Sequence, residues 1–295
     1  MGICKKHVLG GVPGYKEESE GLAYTLHSGE ENNRSSFNTP IVIFHGLVDN
    51  KENWKGIATS LANTLSTKVY AVDMRNHGDS PKMSTINHED NIEDLNNFLQ
   101  KIGEQVILIG HNFGGTAAID LAFKRPQLIK QLILIEASPL RYPENEISRL
   151  GLIVCHMFRA MLFVRKTNSF RKAREIFEEY FQDKIEIPAL RDIILSNLRE
   201  DTFGINWKVN LKVLEMSVYL DKIFEKIYPL HGVYHGRTLV IHTSTSESIA
   251  TEEYGSLKKH FPNASFKCIE NCSNWIHLDQ PDELCDIISE YVASI

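Results

Sequence analysis

The sequence contains one glycine-flanked turn that is built to present a reacting side chain. Residues 106–122 read VILIGHNFGGTAAIDLA, a short apolar run followed by the turn and then by good helix formers. In this setting the pattern G-x-S-x-G is a nucleophile elbow, which exposes a serine between a strand and a helix. Asn112 stands where the serine belongs. Asparagine tolerates the left-handed backbone of such a turn, but its carboxamide cannot be activated as a hydroxyl is, so the sequence predicts an elbow without a nucleophile.

Further strings accompany this turn in a fixed order. His45, Gly46 and Leu47 follow one apolar run, DMRNHGDSP at residues 73–81 follows the next, and WIHLDQP lies at residues 275–281. These strings resemble the α/β-hydrolase superfamily, and most closely its branch of α/β-hydrolase domain-containing protein 11 and related bacterial esterases. The resemblance covers nearly the whole chain after residue 38, and shorter matches support it at Asn53-Trp54, 208–211, 220–223 and 261–263.

The resemblance implies catalytic positions, and the sequence departs from the family at two of them. Members of this branch are serine hydrolases of esters and acyl thioesters, which need a nucleophile, an imidazole base, an acid and two backbone N–H donors. Asn112 occupies the nucleophile position, and Asn274, preceded by Ser273 instead of glycine, occupies the base position. The N–H groups of Leu47 and Phe113 match the two oxyanion-hole donors, which depend on main chain alone.

The resemblance leaves the position of the acid open. Glu136, at the end of LILIE, matches an Asp in the family's DxSP string, whereas Lys212 falls where an acid often follows VNL. Only Glu136 could serve as an acid. Because no histidine remains at the base position for it to orient, we expect Glu136 to have a hydrogen-bonding or packing role.

Two functions remain open at this point. In the first, the chain is a catalytically impaired or inactive homologue that binds an apolar or acyl ligand, or a protein. In the second, it is an active carboxylic-ester hydrolase with relocated residues, using Cys272, Ser273 or Ser138 with His111 or His277. The sequence favours the first function. In the family pattern His277 fills a non-catalytic slot and His111 packs structurally, and a thiol needs a nearby cation or base to become reactive.

The elements that must position these residues alternate along the chain. Short runs rich in Val and Ile, separated by stretches of helical period, predict buried parallel strands joined by crossover helices. We therefore predict an α/β protein with the α/β-hydrolase fold, a doubly wound and mostly parallel sheet, in one domain over residues 1–295. The predicted strands are residues 41–44, 68–72, 106–109, 132–135, 238–242 and 266–269, after an early edge strand.

The alternation breaks at residues 143–212, where helix-spaced apolar residues continue without a strand candidate. We expect a helical cap inserted here over the carboxyl ends of the strands. Five of its apolar side chains could line a pocket or, as is commoner for such stripes, pack the cap onto the core. They are Met157, Phe158, Met161, Phe163 and Phe177.

The composition of the chain limits the classes of partner, cofactor and compartment that we expect. A net charge of −6 gives no broad attraction to phosphate backbones or anionic lipids, so nucleic acid is not expected as a partner. The five cysteines form no CxxC pair and show no zinc-ligand spacing, so neither a metal nor a cofactor is expected. Because we find no signal peptide, convincing transit peptide or apolar run long enough to span a membrane, we expect a cytoplasmic protein.

Overall fold

The computed structural model describes residues 15–16, 21–29, 39–164, 167, 169–202, 204–218 and 228–294. The described strands are β1 (Tyr15–Lys16), β2 (Tyr24–Ser28), β3 (Ile41–Phe44), β4 (Lys68–Val72), β5 (Val106–His111), β6 (Ile129–Ile135), β7 (Leu198–Asp201), β8 (Gly204–Trp207), β9 (Arg237–Thr243) and β10 (Ala264–Ile269). Eight of them form one sheet in the order β1-β2-β4-β3-β5-β6-β9-β10. From β4 to β10 all neighbouring strands are parallel, and β1 and β2 add an antiparallel edge.

This sheet confirms the predicted fold class, and all six predicted strands belong to it. The central strands are continuous apolar runs because helices cover both faces of the sheet. On one face Ile43 and Ile109, which are register partners, pack with Leu61. On the other face Phe44 and Leu108 join the larger core. The helices are α1 (Lys55–Leu65), α2 (His88–Ile102), α3 (Asn112–Lys124), α4 (Glu144–Val164), α5 (Phe170–Gln182), α6 (Pro188–Ser196), α7 (Leu211–Val218), α8 (Tyr254–His260), α9 (Ile276–Asp279) and α10 (Pro281–Ala293).

The segment between β6 and β9 contains α4 to α7 and, against the sequence-based expectation, a hairpin. Strands β7 and β8 pair antiparallel, with Leu198 opposite Trp207. The hairpin follows Asn197, whose fully buried side-chain amide donates to the carbonyls of Ile193 and Val48. These contacts lie at the end of α6, and Gly204, which begins β8, has a φ of +103°. Tertiary contacts and this glycine therefore override the helical pattern that the sequence shows here.

The apolar side chains of this segment divide between packing and exposure. Met157 and Phe177 are fully buried. The ring centroid of Phe177 lies 5.1 Å from that of Trp207, and the Trp207 indole donates to the Met157 carbonyl. These residues therefore pack the segment on itself, whereas Phe163 is 59% exposed.

Helix α4 corrects one expectation from the sequence. It has 21 residues and contains an 18-residue window with a mean hydropathy of 1.6, so its length and composition allow it to cross a membrane. One side of α4 packs against α5 and α7, and 39% of the window is buried in the protein. The sequence-based expectation that no apolar run is long enough to span a membrane is therefore wrong for this helix, because apolar residues lie on both its core-facing and its outward-facing sides.

Candidate functional site

Asn112 begins α3 directly after β5, at the turn that the sequence predicts. Its φ is +49°, in the left-handed region. The turn is tight because a Cβ on Gly114 would lie 2.2 Å from the His45 carbonyl oxygen, so only glycine fits there. The backbone of a nucleophile elbow is thus present, with a carboxamide at its tip.

The Asn112 carboxamide oxygen accepts two hydrogen bonds. The backbone N–H of Phe113 donates to Oδ1 at 2.8 Å, and the Tyr142 hydroxyl donates to the same atom at 2.5 Å. Burial raises the pKa of Tyr142 well above its usual value, so this hydroxyl keeps its proton. The N–H matched to the family's oxyanion hole is therefore engaged by the neighbouring side chain.

The second oxyanion position, Leu47, lies in the loop after β3. A Cβ on Gly46 would be 3.2 Å from the Cβ of Asn112, which places this loop against the elbow. The loop continues into buried Asp49, whose carboxylate accepts hydrogen bonds from the Trp54 indole and the Asn53 amide. These bonds fix the loop that carries the Leu47 N–H beside Asn112.

The base position, Asn274, is connected to the elbow through the main chain. Its carbonyl oxygen lies 3.0 Å from His111 Nε2, and its Nδ2 donates to Glu146 Oε1 at 2.9 Å. Burial raises the pKa of Glu146, against the opposing effect of Arg149. Ser273 donates both its N–H and its hydroxyl to Asp279. The structure therefore places the side chain at the base position, Asn274, in contact with the Glu146 carboxylate.

Glu136 has other partners. It follows β6 with a φ of +51°, and its two carboxylate oxygens accept from the Thr243 N–H at 2.6 Å and the Ser246 hydroxyl at 2.5 Å. Burial raises the pKa of Glu136 to about 7. This carboxylate joins the ends of β6 and β9, while Lys212 is exposed on α7.

The two histidines considered for relocated chemistry are held in a buried cluster. The His277 ring stacks on Trp54 with centroids 4.2 Å apart, and its Nε2 lies 3.5 Å from Asp49 Oδ2. Burial lowers the pKa of His277 to about 3 and also lowers that of His111. Both imidazoles are therefore neutral at physiological pH.

The candidate nucleophiles also have structural contacts. Burial, together with the Asp279 carboxylate, raises the pKa of Cys272 to about 11, so its thiol is protonated at neutral pH. The Ser138 hydroxyl is buried and accepts from the Leu140 N–H. Among the described residues, no group of three His, Cys, Asp or Glu side chains is arranged to hold a metal ion.

Sequence reasoning missed Tyr142 and Glu146, which contact the two asparagines. They lie 30 residues from Asn112 and 128 residues from Asn274 along the chain. No local pattern points to such partners. They enter the site because the chain after β6 returns over the elbow, with Tyr142 just before α4 and Glu146 in the first turn of α4.

Comparisons with known proteins agree with this architecture. The chain is 27% identical over 275 residues to the sn-1-specific diacylglycerol lipase ABHD11 of Mus musculus. This alignment covers 92% of the chain and 85% of the relative. The chain is also 26% identical over 279 residues to a putative esterase/lipase of Haemophilus influenzae, with 92% and 88% covered. A solved marine microorganism esterase superposes with a TM-score of 0.76 at 26% identity, with 92% of this chain and 100% of that chain covered.

One family model matches a single continuous stretch of the chain. The family model described as alpha/beta hydrolase fold matches residues 39–281, which include the elbow, the loop at His45-Gly46-Leu47 (the HG loop) and the base position. The chain therefore belongs to the α/β-hydrolase family.

Proposed function

We infer that this protein is a catalytically impaired α/β-hydrolase that binds an apolar or acyl ligand and does not cleave esters at its elbow. The hydrogen bond from the Phe113 N–H to Asn112 Oδ1 carries this proposal. In a serine member of the family that N–H stabilises the oxygen of the substrate in the transition state. Here the protein's own carboxamide oxygen accepts that N–H, which supports the loss of ester cleavage at the elbow.

The chemistry of the two asparagines supports the same conclusion. The Asn112 carboxamide supplies no alkoxide, and the Asn274 carboxamide cannot take a proton from a nucleophile as an imidazole does. Loss of the nucleophile alone lowers kcat by about a million-fold in a serine protease. Any rate that remains would come from the Leu47 N–H and from binding.

Relocated catalysis, the alternative function, has less support. It needs a nucleophile beside an available base, but His277 is stacked against Trp54 and His111 Nε2 faces the Asn274 carbonyl. Cys272 has a raised pKa. The same side chains have evident structural contacts, which favour the non-hydrolytic function.

The relatives indicate the class of ligand. A diacylglycerol lipase and esterases act on acyl esters, so we propose an acyl compound as the ligand, with a protein partner as the other possibility. An open surface cavity of about 630 Å³ adjoins the base loop. Most of its lining residues are polar, so the acyl class of the ligand rests on the relatives; the lining residues are Glu186, Ile187, Pro188, Ser244, Thr245, Asn271, Cys272, Ser273 and Asp279.

Activity measurements test the loss of chemistry. The purified protein should hydrolyse a short p-nitrophenyl ester no faster than Asn112→Ala, and a fluorophosphonate probe should label neither protein. A clear fall in rate on Asn112→Ala, or labelling that disappears with it, would show that the elbow is active. Labelling lost on Cys272→Ser or Ser138→Ala would establish relocated catalysis.

Ligand binding needs a separate measurement. Mass spectrometry of an organic extract of the purified protein should find an acyl compound at a constant molar ratio, and a fluorescent fatty-acyl probe should bind saturably. Absence of both results would contradict an acyl ligand and favour a protein partner.

A further inference from the structure

Helix α4 has an unusual outer face. A surface helix of a globular protein is ordinarily polar on the side away from the core. On α4, however, Leu152, Leu162 and Phe163 are 54%, 58% and 59% exposed. Leu152 and Leu162 are ten residues apart, about 15 Å along a helix, so the apolar side chains extend over several turns.

A cationic stretch of the sequence begins on this face and continues to the start of α5. Arg159 is exposed on α4 between Leu152 and Leu162, and Arg171, Lys172 and Arg174 are exposed at the start of α5. From residue 159 to residue 174 the sequence contains six cationic side chains and no acidic one, although the chain as a whole has a net charge of −6. Two of the six, Arg165 and Lys166, lie outside the described residues.

The ion pairs on α5 do not remove this positive charge. Arg171 pairs with Glu175 and Arg174 with Glu178, each one turn along the helix. Exposed pairs of this kind contribute little free energy, so their guanidinium groups can exchange the carboxylates for phosphates. Arg159 and Lys172 add positive charge at the same end of the segment.

We propose that this surface, formed by Leu152, Arg159, Leu162, Phe163, Arg171, Lys172 and Arg174, docks the protein on an anionic lipid bilayer. Apolar side chains flanked by Lys and Arg match the boundary between acyl chains and anionic headgroups. Helix α4 lies in the plane of this boundary and does not cross the bilayer, because its other side packs against α5 and α7. The local charge overrides the net negative charge because charges beyond a Debye length are screened.

Vesicle flotation with the full chain tests the proposal. The protein should float with vesicles of phosphatidylcholine and phosphatidylserine, more weakly with phosphatidylcholine alone, and less as the salt concentration rises. The double variant Leu162→Ser with Phe163→Ser should partition about tenfold or more weakly. Val233→Ser, which changes another exposed apolar residue, should float like the wild type.

A charge variant tests the cationic part independently. Arg171→Gln with Lys172→Gln should also weaken flotation by about tenfold or more, whereas Lys258→Gln with Lys259→Gln, a matched pair on α8, should have little effect. All variants change exposed side chains, and circular dichroism verifies their fold. The proposal is overturned if the wild type does not float, if either docking variant floats like its control, or if the apolar variant only abolishes self-association seen without vesicles.

Discussion

The Tyr142 hydroxyl lies 2.5 Å from the carboxamide oxygen of Asn112, and both residues are buried. The oxygen also accepts the Phe113 N–H. A side chain that cannot attack is thus held by a hydroxyl from the chain after β6 and by an elbow amide. The asparagine has become a structural part of the site, with consequences for stability that can be measured.

A double-mutant cycle measures this hydrogen bond. Asn112→Gly retains the left-handed backbone without strain, and it should lower the free energy of unfolding by about 0.5–1.5 kcal/mol because the hydrogen bond from the Tyr142 hydroxyl to Asn112 is lost. Tyr142→Phe should cost about 1 kcal/mol. Urea denaturation of both single variants and the double variant should give a coupling of about 0.5–3 kcal/mol. Additive effects would mean that the two groups do not interact.

Restoring the family residues tests whether the scaffold for catalysis persists. Asn112→Ser with Asn274→His should yield measurable esterase activity and fluorophosphonate labelling. Each single change should yield much less, because nucleophile and base act as a unit. Recovery should be partial, since Ser273 replaces a glycine before the base. A folded double variant that stays unlabelled even after Ser273→Gly is added would show that the oxyanion donors have been remodelled.

In the restored enzyme, two further variants would show whether Glu146 or Glu136 serves as the acid. Asn274 Nδ2 donates to Glu146, whereas Glu136 bonds Thr243 and Ser246. Within the restored background Glu146→Gln should therefore reduce kcat by about a hundredfold or more, and Glu136→Gln should reduce it less. The reverse order would assign the acid to the position that the resemblance implies.

Glu136 should make stability depend on pH. Burial raises its folded pKa from 4.5 to about 7, so the unfolded chain loses this proton first as pH rises. Its contribution is fully present below pH 4.5 and is lost as pH rises to about 7, by up to about 3 kcal/mol. Urea denaturation across this range should show a decline that Glu136→Gln flattens and the exposed control Glu104→Gln leaves intact. Equal slopes for all three proteins would contradict the shift.

The sequence predicts those parts of the site that depend on local geometry. The elbow is found because strand, glycine spacing and helix are contiguous, and its left-handed Asn112 is confirmed by a φ of +49°. The HG loop beside it is similarly local. The partners of the two asparagines are not predictable in this way, because Tyr142 and Glu146 arrive from a distant segment whose path depends on tertiary packing. The β7-β8 hairpin is not predictable for the same reason, because it directly follows the helix-spaced residues of α6, and the tertiary contacts of Asn197 mark the boundary.

The buried Asn197 connects the segment between β6 and β9 to the loop that carries Leu47. Its amide donates to the Val48 carbonyl at 2.7 Å, its side-chain oxygen lies 3.3 Å from Asn50 Nδ2, and its own carbonyl accepts the Lys208 N–H. Movement of α6 away from the sheet must therefore break these bonds or carry the loop with it. As long as these bonds hold, displacement of α6 moves the Leu47 N–H with it, so a bulky molecule that lifts this helix would change one oxyanion donor without touching it.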